Sequence, residues 1–174
     1  MKNISSNGLH HVGYVVKDLE ATIASLEKTV GELSYQKYAF KPMKAFGDGV
    51  EIPNYELKIA MVAIEGKQTS MEIIEPVSVG YHMDFVKRTE HGGINHICFA
   101  VDGNYDEIRT EFENSGARFV FESETEDDVI GYRRCFYAED TLGNVVEIKE
   151  TKKNSPRYKE IVEVTGGRLV PEWL

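Results

Sequence analysis

Four residues of this chain, His11, Glu72, His96 and Glu147, carry the side chains that bind divalent cations. Imidazole nitrogens and carboxylate oxygens suit borderline and hard cations, and two of each leave positions open for a substrate or water. Taken singly, each has a duller account, because ionisable residues are mostly just solvated. Their spacing sets them apart. Glu72 lies 61 residues after His11, Glu147 lies 51 residues after His96, and a ten-residue difference fits inside one surface loop.

The elements that must position them repeat. LHHVGYVV, from Leu9, reads as a strand, and KDLEATIASLEKTVG reads as an amphipathic helix. In that helix Leu19, Ile23, Leu26 and Val30 recur at helical spacing, Asp18 stands at the start and Gly31 at the end. FKPMKAFGDGVEIPNYE, residues 40–56, has no period and reads as a long loop. LKIAMVAIE and SMEIIEPV follow as strands separated by a polar turn at 66–69, and YHMDFVKRTEHGG can hold a short helix. The pattern then restarts. NHICFAV is a strand with a histidine at its second position, and DGNYDEIRTEFENSG puts Tyr105, Ile108 and Phe112 on one helical face before Gly116. ARFVFE, RRCFYAED and NVVEIKE close the second half as strands. Each half opens on a histidine and closes on a strand bearing a glutamate, which is the signature of an internal duplication.

Strand alternation predicts which faces converge. His11 shares a face with Gly13 and Val15, Glu72 with Ile74, His96 with Cys98 and Ala100, and Glu147 with Val145 and Lys149. The opposite faces carry Val12, Tyr14 and Val16; Met71 and Ile73; Ile97, Phe99 and Val101; and Val146 and Ile148. This second set is bulky and apolar, so it should pack beneath the helices. The first set mixes small residues with ligands, as a cavity floor would. By this phase His11 is the ligand of the His10–His11 pair, and His10 points away. Two carboxylates on a cavity face would be costly to bury unpaired, and one divalent metal, whether Ni, Co, Zn, Mn or Fe, is their simplest common partner.

The bulk composition excludes other classes. With 41% hydrophobic and 28% charged residues, the chain reads as an ordinary globular protein. No apolar run reaches the roughly 18 residues of a membrane helix, and MKNISSNG has no apolar core of a secretory signal, so a cytoplasmic location is expected. A net charge of −9 without a lysine and arginine cluster argues against nucleic acid as a partner. ESETEDD, residues 122–128, reads as a solvated loop, and Cys98 and Cys135 as small core residues.

The runs HHVGYVVKDLEA, SMEIIEP, GGINHICFAVD and DTLGNVVEIKE resemble the four signature segments of the vicinal oxygen chelate superfamily, which includes glyoxalase I, methylmalonyl-CoA epimerase and the extradiol dioxygenases. The similarity spans about residues 8 to 150. It implies an α+β fold of two tandem βαβββ modules, residues 1–94 and 95–150, forming a curled mixed sheet around a metal, with 151–174 as a C-terminal extension. The metal ligands it implies are His11, Glu72, His96 and Glu147.

The resemblance also implies a chemistry. The main expectation is a lyase or isomerase of the glyoxalase I type, taking a small 2-oxo thiohemiacetal or thioester through a metal-stabilised enediolate. Glu147 or Glu72 would be the base. A glutamate at position 72 argues against the dioxygenases, which have no ligand there, and four retained ligands argue against the drug-sequestering members. The epimerase alternative gains from the helix before the second histidine strand. It loses from Asn54, which stands where the epimerase carries a second glutamate; Glu51 or Glu56 could replace it only with a shift of the loop. Superfamily members often dimerise, so a homodimer is expected. The tail, with Arg157, Tyr158, Gly166, Gly167 and Trp173, is either a docked extension or a loosely attached terminus.

Overall fold

The computed structural model describes residues 8–63, 70–127, 131–153, 155 and 158. Ten strands and three helices build an α+β architecture. In chain order these are β1 (His11–Val16), α1 (Leu19–Val30), β2 (Tyr35–Phe40), β3 (Lys44–Gly47), β4 (Val50–Glu51), β5 (Leu57–Val62), β6 (Ser70–Pro76), α2 (Tyr81–Thr89), β7 (Gly92–Val101), α3 (Tyr105–Asn114), β8 (Arg118–Asp127), β9 (Gly131–Glu139) and β10 (Val145–Thr151). All strands join one mixed sheet, a curled half-barrel in the order β2-β5-β6-β1-β7-β10-β9-β8-β3-β4.

The two sides of that sheet are wired alike. β1 pairs β6 in parallel, as β7 pairs β10, and β5 and β2 continue outward from β6 in antiparallel fashion as β9 and β8 do from β10. The two halves meet where β1 pairs β7 antiparallel, with His11 opposite Cys98 and Gly13 opposite His96.

The outer face is apolar where helices cover it. Asp18 accepts the Ala21 N–H at 2.9 Å and caps α1, and Gly31, at φ 93°, ends it. Burial of Leu19 and Ile23 against Val16, Ala60, Val62 and Ile73 holds the helix on the sheet, worth about 1.5–3 kcal/mol for each side chain. Tyr105, Ile108 and Phe112 dock α3 on Phe136 and Ile148 in the same way. The concave face gathers Val15, Leu57, Ile59, Ile74, Phe121 and Tyr137, with α2 contributing Val86. The expected strand phase therefore holds on both faces, except that Ile97 is 39% exposed rather than covered by a helix.

One strand was not foreseen, and two expectations need correction. The unforeseen strand is β2, Tyr35–Phe40, an edge strand whose Gln36, Lys37 and Ala39 face solvent; with only Tyr38 and Phe40 turned inward, it lacks an apolar run to announce it. Part of the stretch expected to be one long loop is the β3–β4 hairpin. Its turn is Asp48-Gly49, both at positive φ (47° and 77°), the two-residue hairpin signal that the absence of a longer period hid. The acidic run expected as a loop lies largely in β8, where Ser123 and Thr125 are buried and Glu122, Glu124 and Glu126 alternate outward. Pairing of β8 with β9 and β3 absorbs its backbone. The expected turn at 66–69 lies outside the described residues, as do the N-terminal segment 1–7 and, in the tail, Arg157, Gly166, Gly167 and Trp173.

Candidate metal centre

His11, Glu72, His96 and Glu147 come from β1, β6, β7 and β10, the four central strands, and all four are buried on the concave face. One ligand atom from each lies within 4.8 Å of all the others. His11 Nε2 is 3.2 Å from His96 Nε2, 3.3 Å from Glu72 Oε2 and 3.0 Å from Glu147 Oε2. His96 Nε2 is 3.7 Å from Glu72 Oε2 and 3.2 Å from Glu147 Oε2. Ligand atoms about 2.0–2.2 Å from one small cation would sit roughly 2.8–3.6 Å apart, from right-angled to tetrahedral arrangements, so most of these spacings suit a shared ion.

Glu147 Oε2 provides the sharper test of fit. It is fully buried and, among the described residues, makes no hydrogen bond of acceptable geometry, although two imidazole nitrogens stand beside it. Lone pairs that point at one another repel, and a cation at their meeting point relieves that repulsion. The donor set, two nitrogens and two carboxylates, fits a divalent metal.

Without a cation, protons do the same work. Burial opposes charging of His11 and His96, yet Cys98 with Glu72 and Glu147 beside His11, and Glu147 with Glu72 beside His96, overcome it and raise both imidazoles above their ordinary pKa. Burial equally opposes ionisation of the two glutamates, and the histidines hold both well below the usual carboxylate range. A cation entering this site would compete with those protons.

Packing fixes the four side chains. Gly13 stands opposite His96, and a Cβ there would fall 2.0 Å from the imidazole carbon, so only glycine leaves room for that ring. Tyr137 closes the other side, its ring 4.4 Å from the His96 ring and its hydroxyl 3.4 Å from Nε2. The cavity above the four residues is lined by Tyr38, Phe40, Leu57 and Ile59 on one side and by Ser123, Thr125, Arg133 and Lys149 on the other. Arg133 and Tyr137 were not singled out from the sequence, although alternation along RRCFYAED puts Arg133, Cys135 and Tyr137 on one face.

Other expectations fare differently. His10 does not point away. Its Nδ1 lies 2.8 Å from Nδ1 of His11, because the alternating pattern starts only at His11. Burial, with Lys149 and His11 nearby, pushes the His10 pKa down to about 3. Asn54 is exposed, in a left-handed turn at φ 53°, and neither it, Glu51 nor Glu56 lines the cavity.

Residues 10–136 match the glyoxalase/bleomycin resistance protein/dioxygenase superfamily. The chain belongs to this superfamily. An ethylmalonyl-CoA/methylmalonyl-CoA epimerase of Cereibacter sphaeroides is 25% identical to it over 144 residues, covering 82% of the chain and 96% of that protein. The crystal structure of methylmalonyl-CoA epimerase from Mycobacterium tuberculosis superposes with a TM-score of 0.55 at 19% identity, covering 83% of the chain and 88% of that structure, which supports the shared fold. A stretch of 32 residues is 72% identical to small ribosomal subunit protein uS4 of Agathobacter rectalis. It amounts to 18% of the chain and spans only 16% of that relative. The long match favours the epimerases over the glyoxalase I-type lyase that was the main expectation. Among the described residues no helix is long and apolar enough to cross a membrane.

Proposed function

We propose that this superfamily member is a metal-dependent isomerase that moves a proton on the carbon next to a thioester carbonyl, as an epimerase of a 2-substituted acyl-CoA. The observation that carries this reading is the convergence of two buried carboxylates and two imidazoles on the floor of one cavity. The long similarity to the C. sphaeroides epimerase supports the choice of substrate class. The metal ligands in this reading are His11, Glu72, His96 and Glu147.

A divalent cation there, one of Ni, Co, Zn, Mn or Fe, would polarise two substrate oxygens and acidify the carbon beside them. The chain's own residues do the rest. Glu147 and Glu72 approach from strands of opposite halves, so one carboxylate takes the proton as the C–H bond breaks. For inversion the other must enter the step as the carboxylic acid; it gives its proton to the opposite face as it becomes the carboxylate, and exchange of both groups with solvent restores the starting state. Tyr38, Phe40, Leu57 and Ile59 bury the apolar part of the acyl group and keep water from the carbanion. No third carboxylate lines the cavity among the described residues, which keeps a glyoxalase I-type lyase, with one glutamate shuttling a proton between neighbouring carbons, as the second reading.

In this account residues 1–94 and 95–150 are tandem βαβββ modules followed by an extension at 151–174, and the protein is a cytoplasmic homodimer acting on a small molecule. Light scattering of the purified protein checks the dimer. The catalytic reading is tested by incubating the metal-loaded protein in D2O, without oxygen, with methylmalonyl-CoA, ethylmalonyl-CoA and a 2-oxo aldehyde thiohemiacetal. Deuterium at C2 of either thioester is the expected result. Turnover of the thiohemiacetal alone would install the lyase, and exchange with none of them, alongside tight binding of a drug-like ligand to the apo protein, would make it a sequestering protein.

A further inference from the structure

On a strand the residue before an inward-facing ligand points outward. At both histidines of this site that rule is broken. His10 precedes the first residue of β1, and its ring turns back to place Nδ1 2.8 Å from Nδ1 of His11. Asn95 sits at a bulge of β7, where the pairing with β1 jumps from Gly13↔His96 to Tyr14↔Ile94 and leaves Asn95 without a partner in register. The bulge turns Asn95 inward, so that it and His96 are buried in succession, and Asn95 Oδ1 lies 3.0 Å from His96 Nδ1. Asn95 Nδ2 in turn donates to the Tyr81 hydroxyl of α2 at 3.0 Å, so the amide is held at both ends.

A neutral imidazole has one N–H and one lone pair. If Nε2 is to give its lone pair to a cation, Nδ1 must carry the hydrogen and needs an acceptor. We propose that His10 and Asn95 are matched positioning residues, each accepting the Nδ1–H of the histidine that follows it and so holding both Nε2 lone pairs toward the metal. This inference rests on the metal-site reading above. It explains why His10 stands next to His11 when only His11 belongs to the four-residue cluster. The two halves reach the same end with different side chains, an imidazole nitrogen in the first and an amide oxygen in the second. Cys98, opposite His11, also touches that ring, but a thiol is a weak acceptor. His10, His11 and Cys98 are close enough to hold an ion themselves. His11 would then need a lone pair on Nδ1 while using the one on Nε2.

The test uses the full chain with cobalt as the probe. His10→Leu and Asn95→Leu remove the acceptor and keep bulk, whereas His10→Asn copies the arrangement of the second half. Each leucine variant is expected to weaken cobalt binding about 10- to 100-fold, the usual cost of losing such a partner, and to alter the cobalt visible spectrum. His10→Asn should restore both. Apo-state melting and circular dichroism separate these effects from misfolding. In the parent, nitrogen-correlated NMR with zinc bound should show His11 and His96 as Nδ1–H tautomers even if a variant does not fold. Unchanged affinity in the leucine variants, equal impairment of His10→Asn and His10→Leu, or a second cobalt lost with His10 would overturn the assignment. A parent that binds no metal would overturn the metal reading itself.

Discussion

The two halves of the sheet present the same strands to the cavity and very different walls. β2, β5 and β6 line it with Tyr38, Phe40, Leu57, Ile59 and Ile74, all apolar or aromatic. β8, β9 and β10 line it with the polar and charged Ser123, Thr125, Arg133, Arg134 and Lys149 alongside Phe121, Cys135 and Tyr137. The floor between them is symmetric, with one histidine and one glutamate from each half. The likeness of the two halves thus holds at the four convergent donors and lapses at the walls, as the proposed cation and the proposed acyl-CoA substrate would each require. The same contrast recurs at smaller scale. Two residues beyond its histidine the first half has Gly13, which leaves space, and the second half has Cys98, which fills it.

That small contrast gives the largest expected effect. Gly13→Ala should abolish metal binding or weaken it more than any change to the walls, since its Cβ would meet the His96 ring at 2.0 Å and the close-packed interior cannot absorb the shift. Overpacking of this kind also costs about 1–3 kcal/mol of stability. Cys98→Gly, the reverse change in the other half, should keep most of the affinity. Cobalt titration and thermal melting of the two variants compare them directly, and equal losses would erase the asymmetry.

Next come the two glutamates. Glu147→Gln and Glu72→Gln retain a ligand oxygen and remove a base, so at least one should lose about 10² to 10⁴ in exchange rate while keeping much of its metal. If the halves act as an epimerase pair, each variant should still exchange deuterium into one enantiomer of the thioester. Complete loss in one variant and none in the other would point to one glutamate working alone, as the lyase reading requires.

A third expectation concerns pH. His11 and His96 have raised pKa values in the fold, against an ordinary value of 6.5. Their contribution to apo stability is fully present below pH 6.5 and is lost as pH rises through the raised values. A cation replaces those protons, so the rise in Tm on adding saturating metal should be small below pH 6.5 and grow across that window. His10 and His82, both pushed by burial to about 3, lower stability in acid with or without metal and drop out of the difference. A shift in Tm independent of pH would mean that the metal binds elsewhere.

Much of this centre was legible in the sequence because strand alternation and an internal repeat are local patterns that need no coordinates. The phase that pairs His11 with Gly13 and Val15 against Tyr14 and Val16 is visible in eight letters. What escaped were features that break the pattern. His10 and Asn95 lie at a strand start and a bulge, where period-two reasoning assigns the wrong face. β2 escaped because an edge strand needs apolar residues on only one side, and Tyr38 and Phe40 are too few to announce it. Partnership across the sheet also has no local signature, so nothing in FKPMKAFGDG said that a hairpin from the first half would cap the open edge of the second.

That hairpin is where the two halves differ most in architecture, and it carries the smallest expected effect. β3 pairs with β8 through Lys44↔Glu124, Ala45↔Ser123 and Phe46↔Glu122. Lys44 Nζ lies 3.9 Å from Glu124 Oε2, and both side chains are largely exposed. Such a pair is worth about 0–1 kcal/mol, so Lys44→Ala should shift Tm by little and that little should fade in high salt. Ala45 is instead 1% exposed, against Val120 and Phe121 of the concave core. Ala45→Asp buries an unpaired carboxylate there and should detach the hairpin, which exposes the edge of β8 to pairing with other chains. Aggregation of Ala45→Asp with an unchanged Lys44→Ala would show that the hairpin holds by packing; the reverse would put its attachment in the surface charges.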